Sequence, residues 1–236
     1  MSNMKLGISL NCYKIEAFII MTFKQLIDPK YSSEDYFPIN LSVANSFWDE
    51  NDVSDIPVFE KYLQEQRTRT GKYVAHGGYL EQRALYRKSA RFQTGVVRDV
   101  HMGMDLWAPA GTSVQAFMDG VVHSFAHNDD PGNYGPTLIL EHDFKAKKIY
   151  TLYGHLSISD MEKWSVGFRF RESEIIAHLG KPEENGGYSP HLHFQIMTDM
   201  KTYKGDFPGV AATEELEDYK KIILDPNPFI FGGTVI

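Results

Sequence analysis

Histidine and aspartate side chains in two short motifs have the types and spacing of a metal site. The first motif is His101-Met102-Gly103-Met104-Asp105, and the second is His191-Leu192-His193. In a β-strand, residues two or four apart point to the same face, so each motif would present its two polar side chains together. Catalytic zinc sites use three such ligands and leave the fourth position open for water. The glycine between the first pair would leave room for an approaching substrate.

A further histidine, His155, lies between these motifs in the segment Tyr153-Gly154-His155-Leu156. The chain contains no His-Glu-x-x-His motif, so it has no glutamate base of the thermolysin type. A histidine must therefore take the proton, and its ordinary pKa of ~6.5 suits proton transfer near neutrality. The remaining histidines are predicted to be packed or surface residues: His76, His123, His127, His142 and His178.

Four segments, taken together, resemble the lysostaphin/LytM-type zinc endopeptidases, also called β-lytic metallopeptidases. They are HMGMDLWAPAGTSVQAFMDGVV (101–122), YGPTLILEHD (134–143), YTLYGHLS (150–157) and SPHLHFQI (189–196). The segments occur in the family order, and the resemblance covers roughly residues 95 to 200. The group of motifs is specific, whereas any one of them alone is weak.

The resemblance implies one zinc ion per chain, with His101, Asp105 and His193 as its ligands. It also implies that His191 is the catalytic histidine beside the attacking water. His155 would be the second catalytic histidine, which could donate a hydrogen bond to the developing oxyanion. The activity implied is that of a zinc metallopeptidase hydrolysing an amide bond in peptidoglycan-type peptides, so the expected partner is a peptide or a peptidoglycan fragment.

This chain departs from the family pattern on either side of the second motif. The family commonly has small residues before Pro-His-Leu-His, where this chain has Tyr188 and Ser189. Many members have glutamate where this chain has Gln195. None of these changes touches an implied ligand, so we expect them to affect substrate choice more than catalysis.

Two other functions remain open at the level of the sequence. The segments 184–196, 204–210 and 225–230 resemble an intracellular branch of the family, which would hydrolyse a non-wall amide or peptide. A non-catalytic binding module of the same fold is the other alternative, but such members usually lose ligands, and this chain keeps them. A biotinyl-type or lipoyl-type carrier is disfavoured because the tip Asp119-Gly120 has no lysine for attachment.

Composition narrows the class of partner and the location. The formal net charge is −7, and the chain has no Lys/Arg cluster, which argues against nucleic acid. No stretch approaches the ~20 apolar residues of a membrane span. Lys14 and Glu16 interrupt the apolar start of the chain, so we expect no signal peptide and favour the cytoplasm over a periplasmic or secreted location. The single cysteine, Cys12, excludes an internal disulfide.

The predicted fold is mainly β, with the antiparallel sheet or barrel-sandwich core of a LytM-type peptidase over residues 95–200. An N-terminal extension, 1–94, is predicted to be partly helical and otherwise irregular. A C-terminal extension, 201–236, is predicted to pack on the core. Apolar spacing and turn residues predict helices at 14–28, 58–67 and 214–223, strands at 137–141 and 149–153, and a tight hairpin at Asp119-Gly120.

Polar residues before His101 raise two hypotheses about the N-terminal extension. Glu81, Arg83 and Tyr86 would line a substrate cleft, although surface charges on a solvated lead-in are the more ordinary expectation. A lid over the open zinc position is the second hypothesis, and its alternative is a segment that widens the groove wall or caps a sheet edge. The donors available to such a lid include Asn45, Asn51, His76 and Glu81.

Overall fold

The computed structural model describes residues 4–11, 14–83, 85–86 and 96–235, so Cys12 lies outside the described residues. The strands before the first motif are β1 (Met4–Asn11), β2 (Lys14–Phe23), β3 (Tyr36–Pro38), β4 (Val74–Gly77) and β5 (Glu81–Gln82). The helices of the same region are α1 (Phe47–Glu50) and α2 (Ile56–Thr70).

The strands that carry or adjoin the motifs are β6 (Val100–His101), β7 (Met104–Trp107), β8 (Ser113–Gln115), β9 (Gly120–Asn128), β10 (Gly135–Phe144), β11 (Lys147–Gly154), β12 (Arg169–Phe170), β13 (Ile175–His178) and β14 (His191–Met197). The C-terminal elements are β15 (Val210–Ala211), α3 (Leu216–Tyr219), β16 (Ile223–Leu224), α4 (Asn227–Ile230) and β17 (Phe231–Val235). None of the described helices is both long and apolar enough to cross a membrane.

His101 lies on β6, which pairs with β5 and β15 in a separate sheet. The largest sheet brings Asp105 of the first motif and the whole second motif onto neighbouring strands. Its order is β12-β9-β10-β11-β14-β7-β4-β3, and β16 also pairs with β14. Strand β14 is antiparallel to both β11 and β7, which places His193 opposite Gly154 on one side and Asp105 on the other. The β3–β4 pair is parallel. The predicted mainly antiparallel β architecture is therefore confirmed.

Strands of the N-terminal extension are hydrogen-bonded to the strands of the first motif. Strand β4 pairs with β7, with Gly77 opposite Asp105, and β5 pairs with β6, with Glu81 opposite His101. The extension thus covers an edge that β7 would otherwise expose. The boundaries proposed at residues 94 and 200 remain a prediction.

The strand of the second motif is buried on both faces. Leu192, Phe194 and Ile196 enter the larger apolar core. On the other face, Met197 belongs to a second cluster, and His193 and neighbouring polar side chains share that face. Because each large apolar side chain contributes ~1.5–3 kcal/mol on burial, this packing fixes the strand that presents the histidines.

The helix predicted over residues 14–28 is wrong, since β2 occupies most of that range. The segment is rich in β-branched and aromatic residues, which suit a strand. It pairs with β1 on one side and with β17, from the opposite end of the sequence, on the other. The prediction of a helical or irregular extension therefore missed its β content. The helix predicted over 58–67 is confirmed within α2, where the Asp55 carboxylate accepts a hydrogen bond from the Val58 N–H.

Two further local predictions are wrong. The helix expected over 214–223 is shorter, because α3 ends at Tyr219 and Ile223 pairs with Met197 as part of β16. The Asp119-Gly120 pair closes no hairpin between β8 and β9, because β8 pairs with β13 and β9 pairs with β10 and β12. The Asp119 carboxylate instead accepts a hydrogen bond from the Glu172 N–H at 2.8 Å. The strands predicted at 137–141 and 149–153 are confirmed by β10 and β11.

We expect acid to destabilise the fold partly through His76. Its ring packs 4.3 Å from the ring of Phe231, its Nδ1 has no hydrogen-bond partner among the described residues, and burial lowers its pKa to about 4. The unfolded chain, with a histidine pKa of ~6.5, binds this proton more readily, so stability should fall as the pH drops from 6.5 to 4. Thermal unfolding of metal-free protein should show a shallower pH dependence for His76→Gln than for the wild type.

The exposed His127 provides the control for this measurement. His127→Gln should keep the wild-type pH dependence of the melting temperature. If the melting temperatures of His76→Gln and the wild type depend equally on pH, His76 does not contribute to the loss of stability in acid.

Candidate metal centre

Three acceptor atoms from the two motifs lie close together in a buried position. His101 Nε2 is 2.9 Å from His193 Nδ1, and Asp105 Oδ1 lies 3.0 Å from His193 Nδ1 and 3.3 Å from His101 Nε2. The three side chains are among the buried polar groups. A tetrahedral ion with ligand bonds of ~2.0–2.1 Å has ligand atoms ~3.3 Å apart. The triangle therefore has approximately the size that a zinc ion requires.

The opposite nitrogen of each imidazole identifies the tautomer. His101 Nδ1 donates to the Gly78 carbonyl oxygen at 2.9 Å, and His193 Nε2 donates to Gln195 Oε1 at 2.9 Å. In its neutral form, each ring presents the lone pair of its other nitrogen to the other ring and to the carboxylate oxygen of Asp105. With no hydrogen between them, the three lone pairs repel one another. A bound cation would relieve this repulsion, so the three atoms fit a metal site.

The charge states of the set agree with metal binding. Burial by itself raises the pKa of the Asp105 carboxyl, but the neighbouring His101 and Arg83 hold that pKa well below its usual range. Burial lowers the pKa of His101 to about 4. At neutral pH the carboxyl is therefore ionised and the imidazole of His101 is neutral, which are the forms that bind a metal.

Two further histidines lie beside the three acceptor atoms. His191 Nε2 is 4.0 Å from Asp105 Oδ1, and the rings of His191 and His155 have centroids 4.1 Å apart. His191 Nδ1 donates to the Ser189 carbonyl oxygen at 2.8 Å, and His155 Nδ1 donates to the Asn185 carbonyl oxygen at 2.7 Å. Burial lowers the pKa of both imidazoles. Each neutral ring therefore keeps its Nε2 as an acceptor, and His155 can donate from Nε2 only after protonation.

An uncommon backbone conformation fixes the position of His155. Its φ angle is 62°, in the left-handed region that residues other than glycine rarely adopt. The His155 N–H donates to the Tyr134 carbonyl oxygen at 2.8 Å, and its own carbonyl oxygen accepts from the Gly180 N–H at 2.9 Å. These bonds hold the turn after β11, so the strain is stored where the ring meets His191.

A cavity of about 270 Å³ opens onto the five residues of this centre. Part of its wall comes from the N-terminal extension, including Leu41, Ile56 and Phe59. Another part comes from the segment before β15, including Tyr203 and Asp206. The cavity is therefore built by residues on both sides of the motif-bearing strands.

The departures from the family pattern occupy two different environments. Tyr188 and Ser189 line the cavity, in agreement with an effect on substrate choice. Gln195 is fully buried behind His193, where its amide nitrogen donates to the Pro208 carbonyl oxygen at 3.2 Å. Gly103 also differs from expectation, because a Cβ there would lie 2.6 Å from the His193 imidazole. The glycine makes room for the His193 imidazole and not for substrate.

The donors suggested for a lid contact groups other than the three acceptor atoms. These contacts are Asn45 Nδ2 to Asn40 O, Asn51 Nδ2 to Phe47 O, the His76 ring to the Phe231 ring, and Glu81 to Arg83 and the Leu41 N–H. Within the described residues, the extension forms part of the cavity wall and pairs with β7 at the edge of the sheet. A lid remains a prediction.

The sequence patterns pointed to neither Trp107 nor Tyr134, whose ring lies 5.0 Å from the His193 ring, and they favoured a surface position for Arg83. The Trp107 ring stacks on the His191 ring with centroids 5.6 Å apart, and its position two residues after Asp105 on β7 was an available signal. Arg83 is no surface charge, because its side chain is buried and bonded to Asp105. Arg83 and Tyr86 line the cavity, as the cleft hypothesis expected, whereas Glu81 is not among the lining residues.

The mainly antiparallel sheet thus presents a buried His-Asp-His acceptor set with a histidine pair beside it. Residues 99–204 match the model described as Peptidase family M23. This match lies over the residues that carry the two motifs, and it confirms the resemblance to the lysostaphin/LytM-type peptidases in that part of the chain.

Relatives of known name match only part of this chain. The DD-carboxypeptidase/endopeptidase Mpg of Neisseria meningitidis serogroup B is 34% identical over 96 residues, which are 41% of this chain and 20% of Mpg. The peptidoglycan DD-endopeptidase ShyC of Vibrio cholerae is 28% identical over 144 residues, which are 55% of this chain and 30% of ShyC. The chain thus spans a third or less of these curated relatives.

Among solved structures, the catalytic domain of lysostaphin from Staphylococcus simulans is similar to this chain with a TM-score of 0.39 and 22% identity. The match covers 56% of this chain and 80% of that domain.

Proposed function

We propose that this chain is a zinc metalloendopeptidase that hydrolyses an amide bond in peptidoglycan-type peptides. The convergence of three lone-pair atoms from His101, Asp105 and His193 carries the proposal, and these residues would hold one zinc ion per chain. The neutral pair His191 and His155 beside them supplies groups for proton transfer. The relatives Mpg and ShyC, which are named as a carboxypeptidase/endopeptidase and a peptidoglycan endopeptidase, support the substrate class.

His191 is the general base in this proposal. When bound, zinc would act as a Lewis acid that polarises a carbonyl and lowers the pKa of a water from ~15.7 towards ~7. His191 would take the proton of the attacking water at Nε2, because its Nδ1 hydrogen is committed to the Ser189 carbonyl oxygen. The 4.0 Å from His191 Nε2 to Asp105 Oδ1 places this base beside the acceptor set.

Because His155 and His191 lie so close together, the two rings can carry only one extra proton between them. With ring centroids 4.1 Å apart and both rings buried, two positive charges on His155 and His191 would repel strongly. A single proton taken up by the pair converts one Nε2 into a donor. That donor can bind the developing oxyanion or protonate the leaving amine, and donors of this kind contribute ~10²–10³ in turnover.

Digestion of two substrate sets would test the proposal. Zinc-loaded protein should cleave cross-linked peptidoglycan peptides, releasing one new amine and one new carboxylate per event, and a chelator should stop the reaction. Cleavage of a mixture of ordinary peptides, with wall peptides left intact, would favour the intracellular hydrolase of the same fold. Stoichiometric zinc without cleavage of either set would favour a binding module. The cytoplasmic location stays a proposal, and cell fractionation would check it.

A further inference from the structure

Arg83 connects the N-terminal extension to the candidate metal centre. It follows β5 and precedes the family-matched residues 99–204. Its side chain is 3% exposed, and its Nη1 donates to Asp105 Oδ2 at 2.6 Å. Its Nε donates to Glu81 Oε2 at 2.8 Å. The planar guanidinium therefore bridges two carboxylates, which a point charge such as lysine cannot do in the same geometry.

The two oxygens of Asp105 have different partners. Oδ1 lies 3.0 Å from His193 Nδ1 and 3.3 Å from His101 Nε2, whereas Oδ2 accepts from Arg83. The carboxylate can thus offer one oxygen to an ion while the arginine keeps the other. A two-oxygen ligand would fill a further coordination position, which catalytic zinc sites keep open.

We propose that Arg83 is a positioning residue that holds Asp105 as a one-oxygen ligand and so preserves the open position of the metal. This inference rests on the proposed function, because it concerns the geometry of the zinc site. Arg83 acts through Asp105 and takes no proton. In this way a residue of the N-terminal extension would help to set the geometry of the candidate metal centre.

The surroundings of Arg83 fix its orientation. Glu81 Oε1 accepts from the Leu41 N–H at 2.9 Å, so the Glu81–Arg83 pair is tied to the backbone of the extension. Gly78 has a φ angle of +108°, and a Cβ on it would overlap the guanidinium. The carbonyl oxygen of the same Gly78 accepts the Nδ1 hydrogen of His101. One segment of the extension thus orients two of the three candidate ligands, and outer partners of this kind typically change metal affinity by ~10–100-fold.

The test compares Arg83→Gln with the wild type and with Arg69→Gln, a matched change at an exposed arginine on α2. Cobalt-substituted protein would report coordination through its visible spectrum, and chelator competition would report zinc affinity. For Arg83→Gln we expect a weaker, shifted cobalt band, zinc affinity lower by ~10–100-fold, and kcat reduced more than KM is changed. The Arg69→Gln spectrum and affinity should match the wild type.

A folded Arg83→Gln protein with the wild-type cobalt spectrum and zinc affinity would overturn the inference. If that variant does not fold, Arg83→Lys keeps the charge and replaces it in the test. We expect the lysine variant to show an altered cobalt band and at least threefold weaker zinc binding, and wild-type values for both would equally overturn the inference. Failure of the proposed function is distinguishable, because the wild-type chain itself would then bind no zinc or cleave no peptide.

Discussion

Replacing His193 with alanine is expected to remove most of the zinc from the protein and to abolish hydrolysis. His193 Nδ1 is the acceptor atom that lies within 3.0 Å of both other candidate ligand atoms. Its loss leaves two ligands, which is fewer than the three that a catalytic zinc site uses. We expect zinc content after desalting to fall from one to well below one per chain, measured by elemental analysis, and hydrolysis to fall at least ~10³-fold without added metal.

The exposed His127 gives a matched histidine-to-alanine control for this experiment. His127→Ala should keep one zinc per chain and wild-type turnover. Treating the wild type with a chelator should reproduce the loss of hydrolysis seen with His193→Ala, and added zinc should restore it in the wild type. Full zinc occupancy in a folded His193→Ala protein would show that His193 is not a zinc ligand.

Alanine at His191 or at His155 is expected to leave zinc bound and to reduce kcat by roughly two orders of magnitude or more. Both imidazoles lie beside the acceptor triangle, but neither belongs to the set of three close ligand atoms. The change should therefore appear in turnover, with metal content unchanged. Steady-state kinetics and elemental analysis of the same preparations would separate the two effects.

His178 is a suitable control for the second experiment, because its ring contacts Asp160 at 3.2 Å, away from the cavity. His178→Ala should retain wild-type turnover. Near wild-type cleavage by His155→Ala would show that its Nε2 does not serve as a donor in the reaction. Loss of zinc from His191→Ala would instead make it a ligand, contrary to its assigned role.

Part of the geometry of the site could be predicted from the sequence, because His101, Asp105, His191 and His193 lie in short strands. Alternation along a strand puts His191 and His193 on one face, and β14 has that form. The opposition of His193 and Asp105, by contrast, depends on the pairing of two distant strands and has no local signal. The tautomers are also set at long range, since His155 is oriented by the Asn185 carbonyl oxygen.

The N-terminal extension was the part that sequence analysis predicted least well, and the cause is long-range pairing. Strand β2 is stabilised by β17, a partner that no window around residues 14–28 contains. Arg83 looks like an ordinary surface charge in the sequence, because its partner Asp105 lies on a strand that the fold brings alongside. Local propensity describes a segment alone, whereas these residues take their roles from neighbours that are distant in the chain.

Strand β7 pairs with β4, which precedes it in the chain, and with β14, which follows it. These strands can therefore pair only in a fixed order during synthesis. The ribosome makes β4, Arg83 and Asp105 before β14, so the carboxylate can meet its arginine while His193 is still unsynthesised. The non-local β14 pairing comes later, and pairing of this kind is slow. We therefore expect a nascent chain to hold Asp105 against Arg83 before His193 is available. Capture of an ion, and with it any hydrolysis, would wait until His193 has been synthesised.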